Sequence, residues 1–229
     1  RRHVHIPPAD TPFIGRTAEL AHVSRLLADP ACRLVTIIGP GGSGKTRLAR
    51  EVAARTAEWF LHGACMTLLA STTSSPIIPS AVAATLGVSL SGTAEPLDQV
   101  LAYLGDKELL LVLDNLEHLP GADELAAHLI TACPELRLLI TSRERLNVHG
   151  ERLVELPGLD QPPSADGSAL NDYSAPQLFL TCAEAVLPGF VPTEDDARAI
   201  VQICGLVSGL PLALELAAAW VRSISCREI

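Results

Sequence analysis

Short apolar runs alternate along the chain with stretches whose apolar positions recur at helical spacing. Residues 33–39, RLVTIIG, are β-branched and stopped by glycine, which predicts a strand. Residues 46–60, TRLAREVAARTAEWF, carry the helical period and predict the helix that follows it. The pattern repeats downstream. Strands are predicted over 64–70, 108–115 and 136–143, with a helix over 122–133 before the last of these. Residues 151–158 read as an edge-lying strand stopped by Pro157. A further helix is predicted over 17–28.

Strands alternating with helices signal a parallel sheet covered by helices. The character of the chain changes at residues 159–170, LDQPPSADGSAL, which read as a loop. Beyond it only helices are predicted, over 175–186, 194–208 and 212–222. Pro176 suits the first turn of the first of these and Thr193 the N-cap of the second. The expected organisation is a tail over 1–12, an α/β domain over 13–158, a linker over 159–170 and the start of a helical domain over 171–229.

Composition narrows the functional classes. Hydrophobic residues make up 48% of the chain, enough for a large core, and aromatic residues only 3%. So few aromatics argue against a stacking platform for single-stranded nucleic acid. A net charge of −9 argues against a general attraction to DNA or anionic lipid. The six cysteines form no CxxC pair, which fits neither a zinc site nor a disulfide framework, and buried reduced thiols of a cytoplasmic protein are expected. The apolar stretch 210–221 is short for a membrane span and carries Glu215. A first residue other than Met and an abrupt end suggest a piece of a longer protein.

The chemistry concentrates where the first strong strand ends. Gly39, Pro40, Gly41, Gly42, Ser43, Gly44, Lys45 and Thr46 fit GxxxxGK[ST] between a predicted strand and a predicted helix, the context this phosphate-binding loop requires. Its glycines let backbone N–H groups turn toward phosphate oxygens, and the helix adds its positive dipole end. Lys45 is the candidate for the β- and γ-phosphates, Thr46 for Mg²⁺, and Arg47 continues the nucleotide-binding stretch. Asp114 closes the strand LLLVLD and is the candidate acid for the metal. The next residue is Asn115. An amide orients a water but accepts no proton from it, so either Asn115 or the nearby Glu117 is the water-positioning group and slow hydrolysis is expected. Arg143, at the tip of the strand LLITSR, is the candidate for contact with the γ-phosphate.

Five separated stretches together resemble one family: FIGRTAEL (13–20), the P-loop, LLLVLDNLEHL (109–119), LLITSRERLNVHGE (138–151) and GLPLALELAAAW (209–220). They resemble the STAND class of signal-transducing ATPases of NB-ARC type, nearest to bacterial LuxR-type and SARP-like transcriptional regulators. The resemblance implies a five-stranded parallel sheet of order 5-1-4-3-2, flanked by helices and followed by a small helical domain, with ADP or ATP clamped between the two. It implies that Ile14, Gly15 and Arg16 lie against adenine and ribose, that Pro211 packs on the base, and that Arg143 is a sensor arginine.

The function this implies is an ATP/ADP-binding switch with slow hydrolysis, which self-associates in the ATP state of the full-length protein. No membrane and no direct nucleic-acid contact are expected of this stretch. A P-loop phosphotransferase and an AAA+-like remodelling ATPase are the alternatives.

Overall fold

Residues 3–8, 11–70, 74–117, 119–163 and 170–229 are described by the computed structural model. Its strands are β1 (His3–His5), β2 (Leu34–Ile38), β3 (Gly63–Leu68), β4 (Leu110–Asp114), β5 (Arg137–Ser142) and β6 (Glu151–Glu155). All pairings are parallel, and the order across the sheet is β1-β3-β4-β5-β2-β6. Parallel neighbours need long crossovers. Here α1 (Thr17–Ala28), α2 (Lys45–Thr56), α3 (Ile78–Leu86), α4 (Pro96–Leu104) and α5 (Ala122–Ala132) supply most of that chain.

The expected parallel P-loop sheet is present, with β6-β2-β5-β4-β3 reproducing the order 5-1-4-3-2. Among the described residues the strand number is corrected from five to six. His3–His5 adds to the β3 edge, with Val4 opposite Ala64. Three residues with one aliphatic side chain among two histidines carry no readable period, so this strand escapes sequence analysis. The helices α3 and α4 were likewise unmarked. α3 is apolar on most sides and shows no stripe, because it packs into the core through Ile78, Val82, Ala83 and Leu86.

The chain divides into two compact units. The first comprises Arg1–Thr11, Ala18–Gly39 and Lys45–Glu155; the second Pro12–Thr17, Pro40–Gly44 and Leu156–Ile229. The core of the first runs through Leu111 and Leu113 of β4, Leu138 and Ile140 of β5 and Leu129 of α5. Strands buried on both faces read as continuous aliphatic runs, which is why β4 and β5 were legible.

The second unit is built on α6 (Ser174–Val186), α7 (Glu194–Leu206) and α8 (Pro211–Ala218). Phe179, Ile200, Cys204 and Leu214 lie at its fully buried centre. Thr193 caps α7 as anticipated, accepting from the Asp196 amide while the Asp196 carboxylate accepts from Thr193 N–H. Pro211 opens α8, where its missing N–H costs nothing. Of the stretch read as a linker, residues 164–169 lie outside the described ones.

Candidate functional site

Each unit holds part of the glycine loop. In the first, β2 delivers Gly39 and α2 begins at Lys45. The Lys45 ammonium, largely buried, donates to the Gly39 carbonyl at 2.8 Å. Burial pulls its pKa below the ordinary lysine value; the charges of Glu117 and Asp114 oppose this, and that of Arg143 adds to it. Thr46 Oγ1 donates to Asp114 Oδ1 at 2.8 Å.

The same Asp114 oxygen accepts a second hydroxyl, Thr141 Oγ1, at 2.7 Å. Asp114 ends β4 and Thr141 is the penultimate residue of the neighbouring β5, whose register pairs Leu113 with Ile140 one step earlier. This is the carboxyl edge of an open parallel sheet, where such folds carry their ligands. Thr141 also accepts the Asn115 N–H at 2.8 Å. Asn115 adopts φ 67, a left-handed conformation that asparagine tolerates better than most residues. Thr141 thus fixes both the metal-candidate acid and the turn after it, a role that only its position at the strand tip signalled.

Arg143 and Glu117, read separately from sequence, are bonded to each other: Arg143 Nε donates to Glu117 Oε1 at 3.1 Å. Arg47 does not point to a sequence-predicted partner. Its guanidinium donates to Thr11 Oγ1 at 2.6 Å and to the Thr11 carbonyl.

In the second unit, Pro40–Gly44 turns with the Ser43 N–H on the Pro40 carbonyl at 3.3 Å. Gly42 lies at φ 78, and its carbonyl accepts the Leu212 N–H at 3.2 Å. A Cβ at position 42 would stand 2.8 Å from Leu212 Cβ, so the loop is glycine there for space as well as conformation. Pro211 lies near Gly44, its Cγ 3.8 Å from where a Cβ would be. Leu212 was not foreseen, because an apolar residue in a helix reads as core.

Ile14 is half-buried and Gly15 lies at φ 68 against Ser174. Arg16 is buried at φ 61, and its guanidinium donates to the carbonyls of Ser43, at 3.4 Å, and of Pro157. Ser43 Oγ is buried without a hydrogen-bond partner among the described residues. Gly41 and Pro40 are exposed.

The donor set fits a nucleotide and a hard cation. Glycine-loop amides and an ammonium suit phosphate oxygens, and a hydroxyl beside a carboxylate suits Mg²⁺. No group of three or more His, Cys, Asp or Glu side chains among the described residues is placed to hold a metal unaided. Nor is any described helix long and apolar enough to cross a membrane.

The AAA ATPase domain family matches residues 12–146, more than half of the chain. A Mycobacterium tuberculosis protein carrying the name "Putative HTH-type transcriptional regulator" is 39% identical over 198 residues, covering 86% of this chain and 21% of its own length. Two solved structures share the fold. One is a Signal Transduction ATPase with Numerous Domains (STAND) protein from Pyrococcus horikoshii, with a tetratricopeptide repeat sensor. It has TM-score 0.54 and 17% identity, and the match covers 91% of this chain and 30% of that one. The other is Cdc6p of Pyrobaculum aerophilum, with TM-score 0.65 and 18% identity, covering 97% and 64%. The chain therefore spans about a fifth of its regulator relative. The chain shares the fold of a STAND protein, as the resemblance implied, and it belongs to the AAA ATPase domain family as a nucleotide-binding P-loop ATPase module.

Proposed function

We propose that this chain is the ATP/ADP-binding switch module of a larger signalling or transcription-regulating protein, and that it hydrolyses ATP slowly. The observation that carries the reading is the oxygen cluster of Thr46, Asp114 and Thr141 beside the buried Lys45. The regulator relative supports placing it in transcriptional control.

Thr46 and Asp114 would hold Mg²⁺, which when bound neutralises charge on the β- and γ-phosphates. Lys45 exchanges its Gly39 carbonyl for phosphate oxygens, which recover the hydration its ammonium lost on burial. Arg143, more exposed, would sense the γ-phosphate and so separate ATP from ADP. Ile14, Gly15, Arg16 and Pro211 serve the adenosine end, with Arg16 acting through the backbone of Ser43. Slow hydrolysis is the expected rate because no carboxylate directly follows Asp114, where the amide Asn115 stands.

Moving a two-state equilibrium cleanly needs about 5.5 kcal/mol of differential affinity. One arginine and one cation on the γ-phosphate supply part of this, so the complete switch, with self-association in its ATP state, needs the full-length protein. An AAA-type remodelling role is the second reading, favoured by the family match; it requires a stable nucleotide-dependent ring, measurable by light scattering.

Calorimetric titration of the wild type and Lys45→Ala with ATP and ADP tests the proposal. Binding by the wild type and its loss in the variant are expected. Equal affinity in both proteins would remove the P-loop assignment.

A further inference from the structure

The Arg143–Glu117 pair has an asymmetric setting. Glu117 is 13% exposed and Arg143 67%. Glu117 Oε1 accepts from Arg143 Nε, while Glu117 Oε2 is buried with no hydrogen-bond partner among the described residues. A buried carboxylate oxygen without a donor is costly and calls for an explanation, and a role in the reaction is one that its place beside Arg143 favours.

The neighbours of Glu117 are otherwise engaged. Asp114 Oδ1 already receives two hydroxyls, from Thr46 and Thr141. The Asn115 backbone is pinned to Thr141, and its side chain is an amide with no useful basicity toward water. Glu117 also has the largest ionic influence on the P-loop lysine. A guanidinium has five N–H donors, so the one spent on Glu117 leaves four for a phosphate.

Resting on the ATPase reading above, we propose that Glu117 is the general base of hydrolysis and Arg143 the positioning residue that holds its carboxylate through Oε1. A water oxygen bonds to the γ-phosphorus as the bond from that phosphorus to the β–γ bridging oxygen breaks, its electron pair leaving with ADP. The water proton passes to Glu117 Oε2, and the resulting carboxylic acid returns it to solvent. Arg143 couples the two events, because the guanidinium that contacts the γ-phosphate also fixes the base.

The test uses the whole chain and three variants, Glu117→Gln, Asn115→Ala and Arg143→Ala. Turnover is read beside calorimetric affinities for ADP and a non-hydrolysable ATP analogue. Glu117→Gln keeps the shape and an acceptor for Arg143, so both affinities are expected within about twofold of wild type while turnover falls roughly 10²- to 10⁴-fold. Asn115→Ala loses less than Glu117→Gln. Arg143→Ala loses turnover that millimolar guanidinium partly restores, whereas Glu117→Gln is not rescued. Turnover of Glu117→Gln within threefold of wild type would overturn the assignment, as would loss of nucleotide binding in that variant, which marks a structural role. A wild type that binds nucleotide without hydrolysing it overturns the base and leaves the binding reading standing. A wild type that binds none removes both.

Discussion

Thr141 and Asp114 are joined by a 2.7 Å hydrogen bond across two adjacent strand ends, with the hydroxyl donating to the same carboxylate oxygen that Thr46 engages. Thr141 closes the arrangement by accepting the Asn115 N–H. One buried hydroxyl therefore sets the acid and the turn behind it. Valine matches threonine in shape and lacks both functions. Thr141→Val is expected to cost about 1–3 kcal/mol of stability, because it leaves a buried amide unpaired and removes a donor from a buried carboxylate. Urea unfolding measures it; a midpoint unchanged within error would mean that the site tolerates the loss.

The capping box of α7 makes an acid-side prediction. The Thr193 hydroxyl bond above all holds the Asp196 carboxyl below the usual carboxylate range; burial opposes it, and the Thr193 amide and Cys226 thiol add smaller lowering effects. Glu194 and Asp195 share its turn, and Arg198 pairs with both. A pKa lowered in the folded state contributes stability above the unfolded value, near 3.9, that is lost as pH falls through the folded one. Thr193→Ala should lower stability by about 1 kcal/mol at neutral pH. Asp196→Asn should flatten the acid limb of the stability curve, followed by circular dichroism between pH 2 and 5. An acid limb identical to wild type would show that other carboxyls govern it.

The six cysteines are free, and all but Cys182 are buried. Burial pushes the Cys204 thiol up to about 12, and burial with the Asp196 charge pushes Cys226 to about 11. The thiolate is the reactive form. Native protein treated with iodoacetamide at pH 8 is expected to label at Cys182 first, and Cys204 only on unfolding. Mass spectrometry of tryptic peptides reads this directly; early modification of Cys204 would contradict its burial.

The middle of the sheet was legible because its strands are almost wholly buried. β2, β4 and β5 are aliphatic runs ended by glycine or a polar pair, and the helices between them keep a clean period. What escaped analysis lacked that contrast. β1 is too short to show alternation, and α3 is apolar without a stripe. At the candidate site, a residue type identifies Lys45, Thr46 and Asp114, because the motif spacing fixes their places. Thr141 and Leu212 are ordinary residues whose importance comes from what the fold brings beside them. The pairing of Arg143 with Glu117 was equally unreadable, since 26 residues separate them and no spacing rule links two strand tips.

Arg16 ties together carbonyls from residues 43 and 157, and Leu212 ties down residue 42. Any shortened version of this protein that stops at the end of β6 would thus lose fastenings of its own glycine turn. Residues far apart in the chain fasten one turn, and a cut after β6 would part the turn from Leu212 and its fastener Arg16 from Pro157.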